Sequence, residues 1–154
     1  HRVDRRQRQM CIRDSFNIIR ELLENEENYV RSLRAGVNSY MRVFDRKDLP
    51  KTLRGQKFRI FANIKSIYKF HEHEFMPALM SCADDPEQIA EVFTNFVTRD
   101  FFYGYIIYAI NRKKSELLCN YHVEFWKVRK AACATEKNPN LYFHRKFRTR
   151  LVIG

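Results

Sequence analysis

From Ile19 the apolar residues recur at Leu22, Tyr29, Leu33, Val37, Tyr40 and Phe44. The steps are those of one face of an amphipathic helix. Ser15 is the predicted N-cap, with Asp14 beside it favouring the positive helix end, and the helix is predicted to reach about Phe44. Gly36 within it costs up to ~1 kcal/mol relative to alanine but does not have to end it. Asp45 to Gly55 is a charged connection punctuated by Pro50 and Gly55. A second helix is predicted from about Gln56 to Leu79, on a stripe of Phe58, Phe61, Ile64, Ile67, Tyr68, His71, Phe75 and Leu79, with Pro77 kinking or fraying its last turn. Asp85-Pro86-Glu87-Gln88 then spells a helix start: an N-cap aspartate, proline at the first position and glutamine at the capping-box position. That third helix carries Ile89, Val92, Phe93 and Phe96. The aromatic stretch Phe101 to Tyr108 continues helically through Ile110, Leu117 and Cys119, with Gly104 marking a bend or a close helix approach. A fourth run covers Tyr121 to about Thr135 and is ended by Asn138-Pro139-Asn140. Only Leu151 to Gly154 has any strand character. The predicted class is all-α, long helices packed roughly antiparallel through broad apolar faces.

One position breaks the first stripe. Glu26 fills the step between Leu22 and Tyr29, so a carboxylate lies on the face that should be buried. A buried charge without a partner is costly. Glu26 therefore needs a partner inside the protein, or it faces a surface that another molecule covers, or the stripe widens to solvent at that turn.

At 154 residues, with four glycines and four prolines, the chain has one domain's worth of sequence and enough length for a single core. No apolar run approaches the roughly 20 residues of a membrane-spanning helix, and the basic start lacks the apolar stretch of a signal peptide. Cys11, Cys82, Cys119 and Cys133 are scattered, which fits reduced thiols better than a zinc site or a disulfide framework. A cytoplasmic location, with or without membrane or cytoskeletal association, is the expectation. The formal net charge of +11 sits at the ends. Residues 1–14 carry five Arg and two Asp, and residues 127–154 carry eight Lys or Arg and one Glu. Residues 15–126 are nearly balanced, with sixteen basic and fifteen acidic side chains. Such ends are solvated, or they touch anionic lipid or nucleic acid without specificity.

Three groups suggest chemistry and are weighed against plainer readings. In His71-Glu72-His73-Glu74 the two histidines would point about 200 degrees apart on a helix, so they cannot share one metal ion. His71 is expected on the core face with the others solvated, and no metal site is assigned. Glu21, Glu24, Glu26 and Glu27 lack an accompanying histidine or nucleophile for acid–base work, so no catalytic residue is assigned. Phe101, Phe102, Tyr103, Tyr105, Tyr108 and Trp126 could stack bases, but at helical spacing without interleaved basic residues they read as core. No cofactor is expected, and no specific nucleic acid.

The text Glu21-Leu22-Leu23-Glu24-Asn25-Glu26-Glu27-Asn28-Tyr29-Val30-Arg31-Ser32-Leu33 resembles the opening conserved block of the Dbl-homology domain. That domain is the exchange module of Rho-family guanine nucleotide exchange factors. The family pattern there is Glu-Leu, two variable residues, Thr-Glu, two variable residues, Tyr-Val, two variable residues and Leu, and this chain differs in carrying Asn25 for threonine. Phe61-Ala62-Asn63-Ile64-Lys65-Ser66-Ile67-Tyr68-Lys69-Phe70-His71, followed by Phe75 to Leu79, is similar to the second block. Asp85 through Tyr105, Tyr108, Asn111 and Lys114-Ser115-Glu116 is similar to the helices that follow, especially those of the Trio, kalirin and obscurin branch. The resemblance spans about Phe16 to Trp126.

The family's third block, a Leu-rich helix containing Pro-x-Gln-Arg, has no match after Asn140. The expected organisation is a basic flexible arm at 1–14, a partial Dbl-homology domain at 15–140 and an atypical basic tail at 141–154, which together make an elongated, C-terminally truncated bundle. The resemblance implies a partner of the Rac, Rho or Cdc42 type, whose switch regions are remodelled so that GDP leaves without covalent chemistry. It implies that Glu26 contacts switch I, with Asn25, Glu27 and Asn28 at the rim. The alternatives are an inactive helical interaction module and a basic-tailed protein that binds nucleic acid or anionic membrane.

Overall fold

In a computed structural model of the protein, residues 2–134 are described, with side chains described over 14–128. Every regular element among the described residues is helical. The long helix α1 (Arg2–Tyr40) runs into a 3-10 turn at Met41–Asp45, and a second 3-10 turn follows at Lys51–Leu53. Next come α2 (Lys57–Phe61), α3 (Ile64–Phe70), a π turn (His71–Phe75) and α4 (Met76–Met80), then α5 (Pro86–Thr98), α6 (Tyr103–Tyr121) and α7 (Val123–Ala134). The chain forms two compact units, one from His1–Val30 and Lys69–Tyr103, the other from Arg31–Tyr68 and Gly104–Gly154.

The arm expected over 1–14 is helical from Arg2, so Ser15 stands inside α1 and does not begin it. Arginine and glutamine dominate residues 2–14, both are good helix formers, and neither glycine nor proline interrupts them. Gly36 lies within α1 as expected. The expected stop at Asn138-Pro139-Asn140, the tail over 141–154 and the strand-like Leu151–Gly154 lie outside the described residues.

The single helix expected over 56–79 is instead three helices and a π turn. Its first break is at Ala62, whose φ of 46° and ψ of −129° leave the helical region after a 2.7 Å bond from its N–H to the Phe58 carbonyl. The buried face of α2, made by Ile60 and Phe61, also differs from the expected stripe. Phe61 is 3% exposed, whereas Phe58, expected on the same face, is 66% exposed. The second irregularity precedes Pro77. Proline cannot donate to a carbonyl four residues back and its ring clashes there. A widened turn just upstream, where the Met76 N–H bonds the His71 carbonyl, accommodates it.

The first unit is organised around aromatic rings. Ile19 from α1, Phe70, Phe75, Leu79, Cys82 and Ile89 are buried together, flanked by Leu22, Leu23, Val92, Phe93, Phe96, Phe101 and Phe102. The Phe70 ring centroid lies 5.3–5.6 Å from those of Phe75, Phe96, Phe101 and Phe102. The expected start of α5 is present: Asp85 accepts from the Glu87 N–H at 2.9 Å and the Gln88 N–H at 3.2 Å. The Gln88 amide does not reach back to the Asp85 N–H, which already bonds the Cys82 carbonyl, and donates to the Asp85 carboxylate instead.

α5 ends earlier than the aromatic run suggests. Asp100 adopts φ 56°, the Phe101 N–H bonds the Phe96 carbonyl, and the Asp100 N–H bonds the Val97 carbonyl. This is a Schellman stop, with aspartate in the place usually taken by glycine. Its accompanying apolar contact is the edge-on Phe96–Phe101 pair.

In the second unit, Leu33, Leu53 and Ile64 are almost wholly buried, with Val43, Leu49, Ile60, Phe61 and Ile67 around them. The five-residue α2 leaves carbonyls at its end with no helical partner, and side chains of α6 supply the donors. Asn111 Nδ2 donates to the Arg59 carbonyl at 2.8 Å, and the buried Ser115 hydroxyl donates to the Ile60 carbonyl at 2.7 Å. Their spacing of four puts both on one face of α6. One turn and more upstream, Asn63 Nδ2 donates to the Gly104 carbonyl at 2.7 Å. A Cβ on Gly104 would stand 3.2 Å from that nitrogen, so this is the close approach that the glycine predicted. The last expected run is α7, separated from α6 at His122.

Candidate functional site

The site lies in the first unit, where α1 meets the start of the π turn. The apolar stripe of α1 is real: Ile19 and Leu33 are buried, and Leu22 and Tyr29 are half-buried. Glu26 stands between them with its side chain 11% exposed. The charge on that face is paired inside the protein. Glu26 Oε1 lies 2.5 Å from Nδ1 of His71, whose side chain is 4% exposed. A carboxylate can only accept, so Nδ1 is the donor and carries the proton. A charge-assisted bond of this kind is shorter and stronger than one between neutral groups.

Both partners are presented by local structure. Glu26 sits in an uninterrupted stretch of α1, three residues before Tyr29 and so on the same side of the helix. His71 is the first residue of the π turn, and its ring is held edge-on by three neighbours. The centroid of Tyr29 is 4.9 Å away at 80°, Phe70 is 4.8 Å away at 72°, and Phe75 is 5.4 Å away at 79°. The other members of the His-Glu-His-Glu run play no part in the pair. Glu72 is half-buried, not solvated as expected, and lies 3.6 Å from the exposed His73. Among the described residues, no group of three or more His, Cys, Asp or Glu is placed to hold a metal ion.

Asn25, Glu27 and Asn28 are exposed around Glu26. Of the site residues read from the sequence, Glu26 is thus drawn inward and its three neighbours face solvent. His71 is the residue that sequence reasoning placed on the core face without giving it a role. The signal for the pair was there: two apolar stripes, each interrupted by one ionisable residue that burial obliges to find a partner.

What the arrangement can do is limited but specific. It has neither a nucleophile nor a paired acid, and it offers one fixed carboxylate at the edge of an apolar face. A family model described as RhoGEF domain matches residues 18–151 of this chain. The chain belongs to the RhoGEF family. Rho guanine nucleotide exchange factor 25 of Homo sapiens is 33% identical over 110 residues, covering 71% of this chain and 19% of that protein. Human puratrophin-1 is 32% identical over 116 residues, 75% of this chain and 10% of that protein. Human proto-oncogene DBL is 31% identical over 106 residues, 66% of this chain and 11% of that protein. The chain therefore spans about a fifth or less of these relatives. The family match runs past residue 140, where the sequence reading ended the domain. Among the described residues, no helix is long and apolar enough to cross a membrane.

Proposed function

We propose that this RhoGEF-family chain is an exchange module that binds a Rho-family small GTPase, remodels its switch regions and promotes release of GDP, with Glu26 contacting switch I. The observation that supports it most is the family match over residues 18–151 together with a carboxylate standing on the apolar face of α1. Asn25, Glu27 and Asn28 form the rim of the contact. The Glu26 side chain keeps 11% of its surface exposed, so the carboxylate is not sealed off from an incoming donor.

No covalent step is required. The module binds the nucleotide-free GTPase more tightly than the nucleotide-bound form, and linkage makes this reciprocal: as much as the module weakens nucleotide binding, nucleotide weakens the module's binding. A fixed anion beside the switch region contributes to that difference only where its contact forms in the nucleotide-free state and not in the bound one. The test is co-elution on size exclusion with each of a Rac, a Rho and a Cdc42 type GTPase stripped of nucleotide. A complex that forms with a stripped GTPase and dissociates on addition of GDP and Mg²⁺ is expected. Failure to bind any stripped GTPase would exclude the reading.

A further inference from the structure

We infer that His71 is a positioning residue for exchange: it fixes the Glu26 carboxylate so that one oxygen is presented to the GTPase before the GTPase arrives. The inference rests on the reading of Glu26 as the switch I contact and adds to it a residue that makes no contact with the GTPase itself.

A glutamate on a helix surface samples many rotamers, and a partner that needs one of them must stop that motion when it binds. Here the motion is stopped in advance. The bond from His71 Nδ1 takes Oε1, one of the two carboxylate oxygens, while the side chain keeps some exposure to solvent. The imidazole cannot swing, because Tyr29, Phe70 and Phe75 hold its edges. Its backbone is fixed by the Met76 N–H, which bonds the His71 carbonyl across the π turn. A purely structural partner for a misplaced charge would satisfy the carboxylate fully and bury it. His71 satisfies half of it, and the side chain remains 11% exposed.

The experiment measures release of fluorescent GDP from Rho-family GTPases by the full chain, its His71→Phe and His71→Asn variants, Glu26→Ala, and the Glu26→Ala/His71→Phe double variant. Phenylalanine keeps the ring and its packing but removes the donor. Asparagine places an amide nitrogen near the Nδ1 position. His71→Phe should lower the exchange rate about ten- to a hundredfold, the range set by one hydrogen bond to a charged group. His71→Asn should recover most of that loss. In the Glu26→Ala background, His71→Phe should change nothing further, because its effect passes through Glu26.

Full activity of His71→Phe, or an equal loss in the Glu26→Ala background, would overturn the positioning role while leaving the exchange reading intact. The bond itself is read separately from the slowly exchanging Nδ1 proton of His71 by NMR, which should vanish in Glu26→Ala. If the parent chain accelerates no GTPase although that proton is present, the exchange reading falls and the positioning role falls with it. If the proton is absent from the folded parent, the positioning role fails whatever the exchange rate. Should His71→Phe not fold, His71→Gln replaces it: glutamine is polar but carries its nitrogen too far out, so it should lose activity where asparagine retains it. Equal activity of the two would overturn the inference.

Discussion

Alanine at Phe61 and alanine at Phe58 should have very different consequences, although the two phenylalanines lie three residues apart on what reads as one helical stripe. Phe61 is 3% exposed and packs edge-on against Phe44, ring centroids 5.6 Å apart at 79°. Truncating a buried phenylalanine removes its transfer free energy and leaves a cavity, together about 3–5 kcal/mol. Phe58 is 66% exposed, and a surface truncation of that kind changes stability by no more than about 0.5 kcal/mol. Both lie in α2, whose core face is made by Ile60 and Phe61 and leaves Phe58 outside. Urea unfolding followed by circular dichroism measures both, and an unchanged dependence on denaturant would show that the unfolded state is not what moved. In thermal terms, Phe61→Ala should lose roughly 6–20 °C, at about 2–4 °C per kcal/mol for a chain of this size. Similar losses for the two variants would mean that Phe58 is buried too, and would refute this assignment of the buried face of α2.

Two more outcomes follow from the hydrogen bonds. Ser115→Ala removes the donor that α6 supplies to the Ile60 carbonyl and should cost about 1–3 kcal/mol, because the acceptor stays buried at the end of α2; a change below about 0.5 kcal/mol in urea unfolding would show that another group satisfies it. Asp85→Ala should lower the melting temperature at neutral pH by removing the cap of α5. The Gln88 N–H and side chain, with the Glu87 N–H, hold the Asp85 carboxyl below its usual range. Its contribution is therefore complete above the ordinary carboxylate range near pH ~4 and is lost as pH falls through the lower folded value. The gap in melting temperature between parent and variant should close in acid, and a gap that widened would contradict the cap.

The parts of the fold legible in the sequence are those governed by local chemistry. Asp85-Pro86-Glu87-Gln88 names its own helix start because the cap is built from adjacent side chains. Gly104 was read as a bend or a close helix approach, and the Asn63 amide indeed lies where a Cβ would be crowded, at 3.2 Å. What escaped depended on groups distant in sequence or on backbone conformations that the residue type does not announce. Nothing about alanine marks position 62 for positive φ, and Asp100 likewise closes a Schellman stop that glycine would have advertised. The start of α1 at Arg2 was missed because a helix with no apolar period looks like an arm. At the site, Glu26 was visible as a charge out of place. Its partner was not assigned, because pairing Glu26 with His71 requires knowing that two stripes face each other across 45 residues of chain.

The most direct measurement is release of fluorescent GDP from Rac, Rho and Cdc42 type GTPases by the 154-residue chain, with Glu26→Ala beside it and circular dichroism confirming that both are folded. Losing a buried charge-assisted contact at an interface costs about 2–5 kcal/mol, a drop from roughly thirtyfold to several thousandfold. Acceleration by the parent on at least one GTPase, with Glu26→Ala slower by that margin, is the expected result. A folded parent that accelerates none, or a Glu26→Ala variant as fast as the parent, would contradict the proposed role of this carboxylate in nucleotide exchange.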